Sequence, residues 1–169
     1  MMHREFSQAD TYVNLQLRKQ TCRESAVHDY RTAFEYCRDV IRDYTQEHFI
    51  AIYLDNQLHP ICWRELNIGD GKTCNVDTLT LVQTALLCGA EQVIVLHNHP
   101  SGQIVPSPAD YRFTDTCYEH LEWLNIELVD SIIVGDWQNP EAFYSFYRDD
   151  NRPHSKYTLQ RKREETAAL

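Results

Sequence analysis

The sequence predicts an α/β layered domain. Two helical patterns, at residues 78–88 and from Ser107 onward, enclose a short apolar run at residues 93–96 that predicts a buried strand. An apolar hairpin pattern precedes them, and helix–strand–helix order is typical of a sheet covered by helices. The 169 residues are enough for one domain with a substantial core.

The first half of the chain predicts one helix and one hairpin. Residues 22–44 carry apolar side chains at helical spacing and charges on the other face, which indicates an amphipathic helix. Residues 50–54 form an apolar strand pattern, residues 55–57 are turn-like, and residues 58–66 can return as a second strand. We therefore expect a β-hairpin after the first helix.

Capping residues mark the two helices of the second half. Asp77 or Thr78 can cap the first of them, and Gly89 supplies the left-handed stop that ends many helices. Ser107 is a favourable N-cap for the next helix, and Pro108 suits its first position because proline has no amide proton to leave unpaired.

Two strand patterns and a charged segment complete the chain. Residues 126–135 and 142–146 predict the last two strands, and the polar residues beyond them show no periodicity. We divide the chain into an N-terminal arm (residues 1–21), a single domain (residues 22–147) and a charged C-terminal tail (residues 148–169).

Composition excludes several classes of protein. The net charge of −9 argues against direct nucleic-acid binding, which needs a basic face. No apolar run has membrane-spanning length and the first residues lack an apolar signal core, so we expect a cytoplasmic protein without a membrane segment. The six cysteines include no Cys-x-x-Cys pair, which predicts reduced, packed thiols. Composition does not indicate an oligomeric state.

The chemistry-bearing residues follow the central apolar run, which leads directly into His97-Asn98-His99. In an extended segment His97 and His99 project to one side, with Asn98 opposite. Asp110 lies on the first turn of the helix opened by Ser107, and the loop between can fold that turn back toward the histidines. Two imidazoles and one carboxylate, with a fourth position open for water, are a common catalytic zinc set.

Each half of this pattern also has an ordinary structural interpretation. Lone histidines are often satisfied surface or core residues, and Ser-x-x-Asp often only caps a helix. The two halves together, joined by a short loop after a buried strand, favour the metal site. Other metal or nuclease types are excluded: the chain has no His-Glu-x-x-His helix and no Pro-Cys-x-x-Cys deaminase sequence, and its His-Asn-His is contiguous, unlike that of HNH nucleases.

The spacing of these residues resembles a known metalloprotease family. His97-x-His99, seven residues and then Ser107-x-x-Asp110 is the pattern of the JAMM (MPN-type) metalloproteases, and the string His-Asn-His-Pro-Ser-Gly is similar to their bacterial RadC branch. The resemblance covers residues 47–147. It implies an α-β-α sandwich in which a mixed central sheet is flanked by helices.

The resemblance also implies an activity: zinc-dependent hydrolysis of amide bonds, of peptidase or isopeptidase type, on a peptide or isopeptide-linked protein. His97, His99 and Asp110 would be the ligands of Zn2+. Glu47 would pass a proton from water to the leaving amine, and Ser107 would help to bind the oxyanion. The alternative is a catalytically silent metal-binding or DNA-repair-associated protein-interaction module on the same fold.

Three further positions carry expectations that spacing alone does not settle. Nothing in the spacing places Glu47 near the histidines. Asn98 is expected to hydrogen-bond near the metal ligands, and Asp130 is a weaker candidate for the same role. The chain departs from the RadC pattern around Asp130, where Ser131 stands in place of the usual histidine.

Overall fold

The computed structural model describes residues 26–27, 30–37, 46–69, 76–136, 138–139 and 141–148. This part of the chain contains three helices and five strands. In chain order they are α1 (Tyr30–Cys37), β1 (Glu47–Leu54), β2 (Pro60–Gly69), α2 (Thr78–Cys88), β3 (Gln92–Asn98), α3 (Pro108–Glu122), β4 (Glu127–Val134) and β5 (Phe143–Ser145).

The five strands form one mixed sheet in the order β2-β1-β3-β4-β5. β1 is antiparallel to both β2 and β3, β3 and β4 are parallel, and β4 and β5 are antiparallel. The predicted α/β fold with a mixed central sheet flanked by helices is therefore confirmed. Among the described helices, none has the length and apolar character needed to cross a bilayer.

β1 is buried on both faces because helices cover both sides of the sheet. Its odd-numbered side chains from Phe49 to Tyr53 belong to the core cluster that α2 and α3 cover, and its even-numbered side chains from Ile50 to Leu54 pack in the cluster that includes α1. Successive side chains of a strand point to opposite faces, so one apolar run supplies both cores.

The predicted caps are confirmed. Asp77 caps α2 by accepting hydrogen bonds from the backbone amides of Leu79 (3.0 Å) and Thr80 (3.2 Å). Gly89 ends that helix with a φ of +67°, in the left-handed region that glycine tolerates. Ser107 caps α3, with proline in its first turn.

The predicted helix at residues 22–44 is only partly correct. It is confirmed at Tyr30–Cys37, but Ala26 and Val27 are not helical. The amide of Val27 instead donates to the carbonyl of Leu58 over 2.8 Å, and its side chain is buried in the core. The remainder of that segment, the predicted N-terminal arm and the tail beyond Arg148 lie outside the described residues.

Three strands extend past their predicted bounds: β2 continues to Gly69, and the extensions of β1 and β3 carry chemistry-bearing residues. β1 begins at Glu47 rather than at residue 50, because Glu47 and His48 continue to pair with β2. β3 continues past residue 96 to include His97 and Asn98, which pair with the end of β4.

Candidate metal centre

Four side chains that could hold a metal converge at one end of the sheet. Glu47 begins β1, His97 lies near the end of β3, His99 follows that strand, and Asp110 lies in the first turn of α3. One donor atom from each residue lies within 4.8 Å of the others. These are the three expected ligands together with the expected proton carrier.

Strand register explains why Glu47 joins the histidines. Phe49 is opposite His97 in the antiparallel β1–β3 pair. The paired register ends there; extended by two residues it would bring Glu47 opposite His99, and the period of two would keep these side chains on the same face of the sheet. α3 packs on that face, where Phe113 contacts the edge of Phe49 with ring centroids 5.2 Å apart.

The donor atoms of the three expected ligands, with both oxygens of the Asp110 carboxylate, lie close together. His97 Nε2 lies 3.1 Å from Asp110 Oδ1 and 3.2 Å from His99 Nε2, and His99 Nε2 lies 3.5 Å from Asp110 Oδ2. Ligand atoms placed about 2.0–2.1 Å from a tetrahedral zinc ion are about 3.3 Å from one another. The distances between the two imidazoles and the Asp110 carboxylate are close to this value, as expected of side chains that could bind one ion.

Hydrogen bonds set the orientation of His99 and Asp110. His99 Nδ1 lies 2.8 Å from the carbonyl oxygen of Gln103. Because a carbonyl only accepts, Nδ1 carries the proton and Nε2 keeps its lone pair for a metal. Ser107 N donates to Asp110 Oδ2 over 2.6 Å while Oδ1 faces His97. Oδ1 therefore faces His97, whereas Oδ2 accepts the capping bond and also lies 3.5 Å from His99 Nε2.

Comparison with known proteins agrees with this geometry. Residues 27–152 match the family model described as the RadC-like JAB domain. The chain belongs to this family. That confirms the predicted membership of the RadC-like branch, whose domain is also known as JAMM or MPN.

Proteins of several bacteria are similar to this RadC-like chain. A UPF0758 protein of Xylella fastidiosa (strain Temecula1) is 36% identical over 114 residues, 68% of this chain and 51% of that protein. One of Shouchella clausii is 40% identical over 104 residues, 62% of this chain and 45% of that protein. One of Legionella pneumophila (strain Lens) is 31% identical over 134 residues, 74% and 59% respectively. The chain spans about half the length of these relatives.

The charges of the RadC-like cluster favour a cation. Burial of Asp110 opposes its ionisation, but hydrogen bonds with His97 and His99 outweigh burial and hold the pKa of Asp110 well below its usual range. For His99, burial would lower the pKa, but Asp110, the Gln103 carbonyl and Glu47 together raise it. A protonated imidazole is therefore stabilised here, and a divalent cation can take the place of that proton.

Exposure indicates from which side this cluster is reached. The side chain of His97 is 0% exposed and that of Asp110 is 6% exposed, whereas His99 and Glu47 are 14% and 16% exposed. Solvent therefore reaches the donor atoms past Glu47 and His99. A substrate would have to approach along the same side.

Ser107 lies directly beside Asp110. Its hydroxyl oxygen accepts a hydrogen bond from the backbone amide of Asp110 over 3.3 Å, which together with the bond from Ser107 N to the Asp110 carboxylate completes a capping box. Among the described residues, the Ser107 hydroxyl proton has no acceptor. It is therefore able to donate to another group.

The expected support of the ligands by Asn98 and Asp130 is corrected by the structure. Asn98 bonds to the backbone on both sides of Glu47, at Gln46 and His48, rather than to a ligand. Asp130 accepts hydrogen bonds from Ser145, Tyr147 and the Ser131 amide, so it stabilises β5 and the turn after it. The proposed role of Asp130 near the metal ligands is wrong.

The sequence analysis missed one position that packs against the candidate site. Gly135 lies against the loop that carries His99, and a Cβ there would come within 2.5 Å of the Gly102 carbonyl oxygen and 2.7 Å of Ile104. The available signal was a glycine directly after a buried strand, where close backbone approach is a usual reason for glycine.

Proposed function

We propose that this RadC-like chain is a zinc-dependent hydrolase of amide bonds, of peptidase or isopeptidase type. One observation carries the proposal: the carboxylate of Glu47 lies 3.8 Å from His99 Nε2, beside three donors whose spacing fits a single ion. A structural zinc site closes its fourth position with a strong ligand, whereas a catalytic site leaves it open beside an acid or base.

The three donors would hold zinc through His97 Nε2, His99 Nε2 and the Asp110 carboxylate. Bound zinc would polarise the substrate carbonyl and make water acidic enough to attack near neutral pH. Asp110 and Ser107 keep the carboxylate oriented through the capping box, so little ordering is required when the ion binds.

Glu47 would transfer the proton of the attacking water to the leaving amine. Its Oε1 accepts a proton from the attacking water and returns it to the nitrogen of the leaving amine, which cannot depart as an anion. The position suits this role because Glu47 is partly exposed and reaches both the donor cluster and solvent. Ser107 would donate a hydrogen bond from its hydroxyl to the oxyanion that forms at the substrate carbonyl.

The proposed substrate is a peptide or an isopeptide-linked protein. The net charge of −9 argues against nucleic acid as a direct partner. Because solvent reaches the cluster past Glu47 and His99, the scissile amide could approach both the bound zinc and the Glu47 carboxylate from this side. The reaction requires no redox change and no second cofactor.

The test measures zinc content and hydrolysis of two fluorogenic probes, a linear peptide and a peptide joined through a lysine ε-amide. We expect His97→Ala and Asp110→Ala to lose zinc and turnover. Their loss of zinc affinity should exceed the loss of about 10–100-fold that is typical when a residue supporting a metal ligand is substituted. Glu47→Gln should keep zinc and lose turnover by about 10²–10⁴-fold. Glu91→Gln, an exposed carboxylate, is the control. Stoichiometric zinc without turnover of either probe would support the silent module instead.

A further inference from the structure

The β1–β3 pairing ends before it reaches Glu47 and His99. Its last paired positions are Phe49 and His97. β1 continues beyond that point on β2, and the chain after β3 continues on β4, where His99 N donates to the Val134 carbonyl over 2.9 Å. The segments that carry Glu47 and His99 are therefore held by different neighbours.

The side chain of Asn98 spans this interruption. Its Nδ2 donates to the carbonyl of Gln46 over 3.0 Å, and its Oδ1 accepts from the amide of His48 over 2.8 Å. Asn98 is only 2% exposed, so both bonds are shielded from water. A carboxamide offers one donor and one acceptor side by side, as a peptide group does, and here it replaces a rung of the ladder.

The two bonded backbone groups flank Glu47 in the sequence. The carboxylate of Glu47 makes no hydrogen bond within the described part of the chain, and its one close polar contact is the 3.8 Å approach to His99. Its position is therefore determined by the backbone at residues 46–48 rather than by partners of its own.

We propose that Asn98 is a positioning residue that holds the start of β1 so that Glu47 stays within reach of the His97–His99–Asp110 cluster. The inference deepens the proposed function and rests on it for the role of Glu47. Asn98 acts on the proton carrier and leaves the metal ligands unchanged, which separates it from a residue that orients His97 or His99.

The decisive measurement is a double-mutant cycle on the lysine ε-amide probe with the zinc-loaded full chain. Asn98→Ala and the nearly isosteric Asn98→Leu should keep zinc affinity within about threefold and KM nearly unchanged. We expect kcat to fall roughly 10–100-fold, a part of what general acid–base catalysis supplies. In the Glu47→Gln background the same substitutions should not lower kcat further, because the effects of residues that act through one group are not additive.

Ser145→Ala is the matched control. It also removes a side chain whose hydroxyl is hydrogen-bonded and buried, because Ser145 Oγ donates to Asp130 over 2.6 Å on the far side of the sheet. It should lower stability by about 1 kcal/mol and leave kcat and zinc affinity unchanged.

Two results would overturn the inference. A loss of kcat that is equally large in the Glu47→Gln background would show that Asn98 acts elsewhere, and so would a loss of zinc affinity that parallels kcat. If wild-type chain turns over neither probe, the proposed function fails on its own. A crystal structure of Asn98→Ala then decides the positioning role, which fails if Glu47 Oε1 remains within about 4 Å of His99 Nε2.

Discussion

The imidazole of His97 is stacked on the ring of Phe49, with centroids 4.6 Å apart and an interplanar angle of 15°. The two residues are opposite each other in the β1–β3 pair. Among the described residues His97 Nδ1 has no hydrogen-bond partner, although it is buried. The ring is therefore oriented by packing between Phe49 and Phe113, where a metal-ligating histidine usually relies on a hydrogen bond.

Phe49→Leu should weaken the proposed metal centre as well as the core. Leucine keeps the site apolar but removes the flat face on which His97 rests, so the imidazole gains rotational freedom. We expect unfolding free energy to fall by about 1–3 kcal/mol, less than the usual cost of Phe→Ala. Zinc affinity should fall about 10-fold, as for loss of an orienting partner. Denaturant unfolding and chelator competition measure the two effects.

Phe34→Leu is the control that separates a loss of core packing from a loss of the orientation of the His97 imidazole. Phe34 is also buried, but on the opposite face of the sheet, in the cluster that includes α1. It should lose comparable stability while zinc affinity stays unchanged. Equal losses of affinity in both variants would mean that general destabilisation, and not the stacked ring, controls His97.

Gly135→Ala should disturb the loop that orients His99. The added Cβ would come within 2.5 Å of the Gly102 carbonyl oxygen, which is backbone and cannot rotate away. Gly102 N also bonds to the His99 carbonyl over 2.9 Å, so displacing Gly102 displaces His99. We expect zinc affinity to fall about 10-fold and stability to fall by about 1–3 kcal/mol, as for an overpacked site.

Gly89→Ala provides the contrast for that experiment. Gly89 has a φ of +67° and nothing within 4 Å of the added Cβ, so alanine there costs about 1–2 kcal/mol of backbone strain far from the cluster. Calorimetric zinc titration should show wild-type affinity for this variant. Wild-type affinity in Gly135→Ala as well would remove the argument that close approach at Gly135 orients His99.

Local rules were sufficient for much of the fold and for the ligand pattern. The caps at Asp77, Gly89 and Ser107 follow from side-chain stereochemistry within one turn of the chain, and the shared direction of His97 and His99 follows from the period of a strand. These features depend on neighbours in sequence, which a single sequence displays directly.

Features that depend on register between distant strands were not predictable in the same way. The proximity of Glu47 to His99 requires the β1–β3 pairing, and the bonds of Asn98 require the point at which that pairing ends. Asp130 was misassigned because two of its partners, Ser145 in β5 and Tyr147 in the turn after it, lie 15 and 17 residues away. The helix around Ala26 failed because tertiary pairing with the hairpin overrode helical periodicity.

Cys88 should be the most reactive of the described thiols. The four described cysteines, Cys37, Cys62, Cys88 and Cys117, form no disulfide bond with one another. A hydrogen bond from the Cys62 thiol lowers the pKa of Cys88 to about 7 against the opposing effect of burial, whereas burial raises the pKa of Cys37 far above its usual value. Because the thiolate is the nucleophile, iodoacetamide should label Cys88 with a midpoint near pH 7 and spare Cys37.

Substitution of Cys62 tests the cause of that reactivity. In Cys62→Ala the thiolate of Cys88 loses its donor, so the labelling midpoint should move up toward the ordinary value of about 8.5. Peptide-level mass spectrometry of labelled folded protein measures both midpoints. An unchanged midpoint would show that the Cys62 thiol does not stabilise the Cys88 thiolate.

Asp130 should make stability depend on pH in the acid range. Burial raises the pKa of Asp130 above its ordinary value, although the hydrogen bond from Ser145 and those from the Tyr147 and Ser131 amides oppose the shift. The folded chain then holds this proton more tightly than the unfolded chain. The resulting stabilisation is complete below the pKa of about 3.9 that Asp130 has in the unfolded chain. It is lost as pH rises through the higher pKa that Asp130 has in the folded chain.

Asp130→Asn removes this titration while keeping an acceptor for the two backbone amides, Ser131 N and Tyr147 N, that bond to Oδ1. The stability of the variant relative to wild type should therefore increase as pH rises from about 3.5 through the raised pKa, and then stay level. Urea unfolding across this range measures the difference at each pH. A relative stability that stays constant, or that decreases with rising pH, would contradict burial as the dominant influence on this carboxylate.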